Sequence, residues 1–116
     1  MVGKETKTCV ILHPNMSSTN DLKQETIDTY ERTAAAMADK FNAIGVRKEE
    51  IDEIFHLIKK DQPTVLEIGC ANGRDAAEIV TRTSRYTGID VSPAFIEMAR
   101  AYVPTGTFEV ADVETY

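Results

Sequence analysis

Val65-Leu66-Glu67-Ile68-Gly69-Cys70-Ala71-Asn72-Gly73-Arg74-Asp75 is the stretch whose reading decides the fold. An apolar run carrying one acid leads into a glycine-bracketed turn, and the turn into a helix-compatible segment. A strand that stops in such a turn brings bare backbone N–H groups and a helix N-terminus to one point. Gly69 and Gly73 tolerate positive φ and carry no side chain to block a ligand approaching the main chain. A second strand-like run, Tyr86-Thr87-Gly88-Ile89, follows and ends at Asp90. A turn to lie against and an acid for ribose hydroxyls are the two parts a nucleoside-bearing ligand needs.

Outward from this centre, apolar spacing predicts the remaining elements. A helix runs through Ala76, Ala77, Ile79 and Val80, and the second strand spans about Arg85 to Ile89. Ser92 and Pro93 mark the next helix start, with Ser as N-cap and Pro at the first helical position. That helix carries Phe95, Ile96, Met98, Ala99 and Tyr102, closes at Pro104 to Gly106, and yields to a third strand from Thr107 to Ala111. Strand, helix, strand, helix, strand at this spacing describes two right-handed crossovers in a parallel sheet. Upstream, Ile27, Tyr30, Ala34, Met37, Phe41 and Ile44 recur with a helical period. Asp21 and Gln24 resemble a capping box at the start of that helix, and Gly45 is a C-cap. Ile51, Ile54, Phe55 and Ile58 share one face of a second helix, and Lys59-Lys60 suit its C-terminus. Thr8 to Leu12 is β-like, and His13 to Asn20 reads as a loop.

Composition narrows the function classes. The chain has 116 residues, of which 42% are apolar, enough for one globular core. Its formal charge is −6, and its short basic pairs are followed at once by acids, so nucleic acid is not an expected partner. Cys9 and Cys70 are too few for a disulfide framework or a zinc site, and His13 and His56 show no metal spacing. No apolar run approaches the ~18 residues of a membrane span, and no signal peptide is visible. A cytoplasmic location with reduced thiols is expected.

The order VLEIGCANGRD, YTGIDVSPAFIEMARAY, FEVADVETY resembles the cofactor-binding half of a class I S-adenosylmethionine-dependent methyltransferase. The likeness covers Thr64 to Val113 closely and Thr26 to Lys60 more loosely. A dinucleotide fingerprint would place a small residue where Arg74 stands. The methyltransferase form, E-x-G-x-G/A-x-G, is met by Glu67, Gly69, Ala71 and Gly73, so S-adenosylmethionine is favoured over a dinucleotide. By the resemblance, the backbone of Gly69, Cys70 and Ala71 passes beside the methionine moiety. Glu67 either orients the turn, takes up the ligand's ammonium directly or through water, or caps a neighbouring helix. Asp90 accepts from the ribose hydroxyls, a role compatible with that of a helix N-terminal acid. Val91 packs on the adenine, Asp112 accepts from its amino group, and the main chain of Val113 reads a ring nitrogen. Tyr30 stands where relatives place a tyrosine near the cofactor's carboxylate, or it is a core residue.

The fold class expected is α/β: a partial Rossmann-like parallel sheet, the first three strands of the class I methyltransferase fold, with N-terminal helices. Residues 1–20 form an extension with a short strand and a loop, and residues 21–116 a partial S-adenosylmethionine-binding domain. The resemblance implies about seven strands, in the order 3-2-1-4-5-7-6. A domain cut short after three would lack its acceptor site and be inactive alone, with its catalytic residues unknown. The rival reading is a non-catalytic cofactor-binding or assembly module that needs a partner chain to complete its sheet. Either way, the first strand's open edge calls for a cover. Candidates are a second copy in a homodimer, another chain, or this chain's own Thr8 to Leu12.

Overall fold

The computed structural model describes residues 8–12 and 20–116. Eight elements follow in the order β1 (Thr8–Leu12), α1 (Asn20–Ile44), α2 (Lys48–Ile58), β2 (Thr64–Ile68), α3 (Ala76–Ile79), β3 (Tyr86–Asp90), α4 (Pro93–Tyr102) and β4 (Thr107–Val110). All four strands are parallel and lie in the order β1-β2-β3-β4. The α/β class and the parallel sheet therefore stand as expected, with one strand more than the three centred on the glycine turn. Thr8 pairs with Thr64 and Leu12 with Ile68. The edge of β2 is thus covered within the chain, by the N-terminal run.

Side-chain alternation along a strand sorts the sheet into two faces. Val65 and Glu67 share one with Tyr86, Gly88 and Phe108, since the register sets Val65 beside Tyr86 and Gly88 beside both Glu67 and Phe108. Ile51 of α2, Ile79 of α3 and Ile96, Ala99 and Val103 around α4 bury themselves against it. On the other face Ile68 and Ile89 are buried, but Leu66 is half-buried and Val10 is 54% exposed. The burial on both faces that a run such as Val65 to Ile68 implies is thus complete only toward its C-terminal end. Helix α1 lies against α4, where the rings of Phe41 and Phe95 meet at 6.0 Å. No helix among the described residues is long and apolar enough to cross a membrane.

Local signals explain most boundaries. Gly45 (φ 85°) ends α1, its N–H donating to Phe41. Lys59, at φ 53°, ends α2. The Ser92 hydroxyl accepts from the N–H of Phe95, and Pro93 opens α4. Helix α1 begins at Asn20, so Asp21 lies inside it, and the side chain that would complete a capping box with Gln24 falls outside the described residues. So do the loop from 13 to 19 and the side chain of Tyr30. Helix α3 is shorter than its apolar pattern suggests and stops before Val80. At Thr81 and Arg82 the bonds tighten to i→i−3, Thr81 N–H to Glu78 and Arg82 N–H to Ile79. Thr83 then turns its hydroxyl to the Pro63 carbonyl at 2.6 Å and draws the chain into β3.

Candidate functional site

The parallel register brings the C-terminal ends of three strands to one edge of the sheet. Ile68 stands beside Ile89, and Asp90 beside Val110. The turn at 69–73, the pair Asp90–Val91 and the pair Asp112–Val113 therefore emerge side by side. Bonding of the Ala111 N–H to the Asp90 carbonyl at 2.9 Å carries the last pair past the end of β4.

The turn has the backbone its glycines imply, with φ of 80° at Gly69 and 88° at Gly73. Ala71 also has positive φ, 50°, a conformation that disfavours a Cβ by roughly 1–2 kcal/mol. Its N–H is fastened to Asp90 Oδ2 at 2.9 Å, which holds it there. Gly73 has a packing reason as well as a conformational one: a Cβ would stand 3.3 Å from the Cα of Ala99 on α4.

One expectation is corrected here. Four of the turn's five N–H groups are not bare. Gly69 and Cys70 both donate to the Ile89 carbonyl, at 2.8 and 3.0 Å, Ala71 donates to Asp90, and Gly73 donates to Cys70 at 3.1 Å. Positive φ at Gly69 curls the chain over the end of β3, so consecutive N–H groups meet the strand rather than solvent. Behind it, α3 has four residues, a weak helix terminus for an anion. Such a turn suits a ligand without phosphate better than one with a pyrophosphate.

Asp90, 3% exposed, holds the turn and the following helix together. Its Oδ2 accepts from Ala71, and its Oδ1 from the N–H of Ser92 at 3.0 Å. Glu67 is 1% exposed and accepts from the Tyr86 hydroxyl at 2.5 Å. The Cys70 thiol lies between these influences. Burial first, then the charges of Glu67 and Asp90, push its pKa far above the ordinary 9.0. It is a neutral, buried thiol and not a nucleophile. Val91 is half-buried and Val113 exposed. Asp112 turns its Oδ1 to the N–H of Glu114 at 2.9 Å.

Three residues at the site escaped the sequence reading. Tyr86 supports Glu67, and only the strand register reveals that they meet. Glu31, on α1, accepts from the Ser92 hydroxyl at 3.3 Å and the Ala94 N–H at 3.2 Å, adding an anion to the start of α4. Asn72 donates through Nδ2 to Asn42 of α1 at 3.1 Å, while its buried Oδ1 has no hydrogen-bond partner among the described residues. Its position in a turn signalled loop chemistry and nothing more.

Comparison with known proteins agrees with this architecture. Residues 65–116 match a family model described as a methyltransferase domain. The chain is 34% identical over 97 residues to malonyl-[acyl-carrier protein] O-methyltransferase 1 of Ilyobacter polytropus, an alignment covering 79% of this chain and 32% of that protein. It is 40% identical over 58 residues to trans-aconitate 2-methyltransferase of an Enterobacter species, covering 48% of this chain and 23% of that protein. Among solved structures, S-adenosylmethionine-bound CalS10, an amino pentose methyltransferase from Micromonospora echinaspora, superposes with a TM-score of 0.50 at 20% identity. That superposition covers 90% of this chain and 39% of CalS10. The chain thus spans about a third or less of the curated relatives it matches. Residues 65–116, with the E-x-G-x-A-x-G turn at the sheet edge, are thus similar to a methyltransferase domain, and the superposition on CalS10 supports the α/β fold alone.

Proposed function

We propose that this chain binds S-adenosylmethionine at the C-terminal edge of its sheet and forms the cofactor-binding part of a methyltransferase. The observation that carries the reading is the convergence of the glycine turn, Asp90–Val91 and Asp112–Val113 at one sheet edge. The internally bonded turn N–H groups fit a cofactor that has no phosphate. When bound, the cofactor supplies an activated methyl group on a sulfonium centre. The chain's own part is to hold it: Gly69 to Ala71 along the amino-acid end, Asp90 at the ribose, and Val91, Asp112 and Val113 around the base. Methyl transfer of this kind draws its rate chiefly from proximity and orientation. The two relatives are named for different acceptors, so the proposal covers the cofactor and the reaction class alone.

The net charge of −6 favours small-molecule over nucleic-acid partners, and two free thiols suit the cytoplasm. A homodimer through the sheet edge belongs to the same proposal, and the strand it would use is β1, which now forms that edge.

Calorimetric titration with S-adenosylmethionine, S-adenosylhomocysteine and a nicotinamide dinucleotide tests the assignment. Binding of the first two and not the third is expected. Asp90→Asn should weaken that binding by about 1.5–3 kcal/mol, the range for hydrogen bonds to a charged group. A melting curve alongside separates ligand contact from loosening of the turn. Preference for the dinucleotide would reject the reading.

A further inference from the structure

Glu67 and Tyr86 form a buried acid–phenol pair whose geometry depends on a third residue. Val65 lies beside Tyr86 and Glu67 beside Gly88, so Tyr86 and Glu67 are diagonal neighbours on one sheet face. An aromatic side chain can cross that diagonal of about 7–8 Å. The Tyr86 hydroxyl does so over Gly88, where a Cβ would stand 2.5 Å from it. Phe108, next to Gly88 on β4, sets its ring edge-on to Tyr86 at 5.7 Å. The hydroxyl reaches Glu67 Oε1 at 2.5 Å, and the two residues are 4% and 1% exposed. Burial, and next the charge of Glu67, raise the phenol's pKa far above its ordinary 10.0, so it stays a donor at neutral pH. Glu67 precedes Gly69 by two residues, and its charge, like that of Asp90, is felt at Cys70 within the turn.

We propose that Tyr86 is a positioning residue: seated in the notch left by Gly88, it fixes Glu67 next to the glycine turn, and the held carboxylate selects the ammonium-bearing amino-acid end of the ligand. This deepens the cofactor assignment above and rests on it. A carboxylate out of water acts on a nearby cation far more strongly than an exposed one. Its reach stops short of the nucleoside, which is left to Asp90 and the residues after β4. Loss of the phenol hydroxyl therefore discriminates between ligands according to whether they carry the amino-acid part.

The test titrates the full chain with S-adenosylhomocysteine and with 5′-methylthioadenosine, which keeps the nucleoside and thioether but lacks the amino acid. Tyr86→Phe should weaken S-adenosylhomocysteine about tenfold or more and leave 5′-methylthioadenosine within about twofold. Gly88→Ala, which keeps the hydroxyl but fills its notch, should reproduce the pattern and stands in if Tyr86→Phe fails to melt cooperatively. In a Glu67→Gln background, Tyr86→Phe should cost less than it does alone, because the hydroxyl then acts on no charge. Equal weakening of both ligands would assign Tyr86 a structural role only and overturn the inference, as would no weakening of either. Binding of neither ligand by the parent chain would instead reject the cofactor assignment.

Discussion

Asp75 sits between two cations where the glycine turn becomes α3. Arg74 donates to both its carboxylate oxygens, Nε to Oδ1 at 3.0 Å and the terminal nitrogen to Oδ2 at 3.1 Å. The N–H of Arg47, the residue before α2, donates to Oδ1 at 3.2 Å. Burial alone would raise the carboxyl's pKa. The hydrogen bonds from Arg74 and Arg47, and then their charges, outweigh it and hold the pKa below the ordinary 3.8. A carboxyl more acidic in the folded state contributes stability above its unfolded pKa and loses it as pH falls through the folded value. Stability attributable to Asp75 is therefore complete at neutral pH and declines below about pH 4. Thermal melts from about pH 2 to pH 7 should show Asp75→Asn lowered at neutral pH and flatter than the parent on the acid side. Parallel acid limbs for the two would remove Asp75 from this role.

Among elements, α4 has the most overdetermined start. Ser92 caps it, Pro93 opens it, and Glu31 adds an anion from a helix 61 residues earlier. Ser92→Ala should lower stability by about 1 kcal/mol. It also removes a donor to Glu31, so part of that loss should disappear in a Glu31→Ala background; strict additivity in denaturant titrations would show that the two caps act separately. The Ser92 cap was legible in the sequence because its partner lies three residues on. Glu31 was not, because no local pattern announces a contact across 61 residues. The same division runs through the site. Positive φ at Gly69 and Gly73 and the strand end at Asp90 could be read from residue types. The Tyr86–Glu67 pair and the closing of the turn N–H groups on Ile89 could not, since each needs the register of β2 against β3. Helix α3 was overextended for a related reason. Ile79 and Val80 continue a helical period, but Thr83 spends its hydroxyl on Pro63, 20 residues away, and that tertiary bond ends the helix early.

At the scale of the molecule, the homodimer proposed above would form through the sheet edge. β1 covers β2 and becomes the outer strand, with Val10 exposed at its centre. A two-fold axis normal to the sheet would lay two β1 strands antiparallel and pair both edges at once, a self-complementary contact. Light scattering across a concentration series should show this dimer for the full chain. Deleting residues 1–12 should change the oligomer, because it exposes Val65 to Ile68 at an unpaired edge. A stable monomer that is indifferent to the deletion would contradict both the dimer and the need for a cover.

The placement of β1 also sets an order of assembly in time. Thr8 finds its partner at Thr64, 56 residues later, whereas Val65 meets Tyr86 after 21. Closing the longer loop costs roughly 1 kcal/mol more in chain entropy, by the logarithmic dependence on length. On a ribosome adding ~5–20 residues per second, Thr8 would wait roughly 3–11 s for Thr64 to be made. Until then Cys9, Val10 and Ile11 have no neighbouring strand from their own chain. Of the four strands, β1 is thus the one that waits longest for its partner, since β2 and β3 each find theirs within 21 residues.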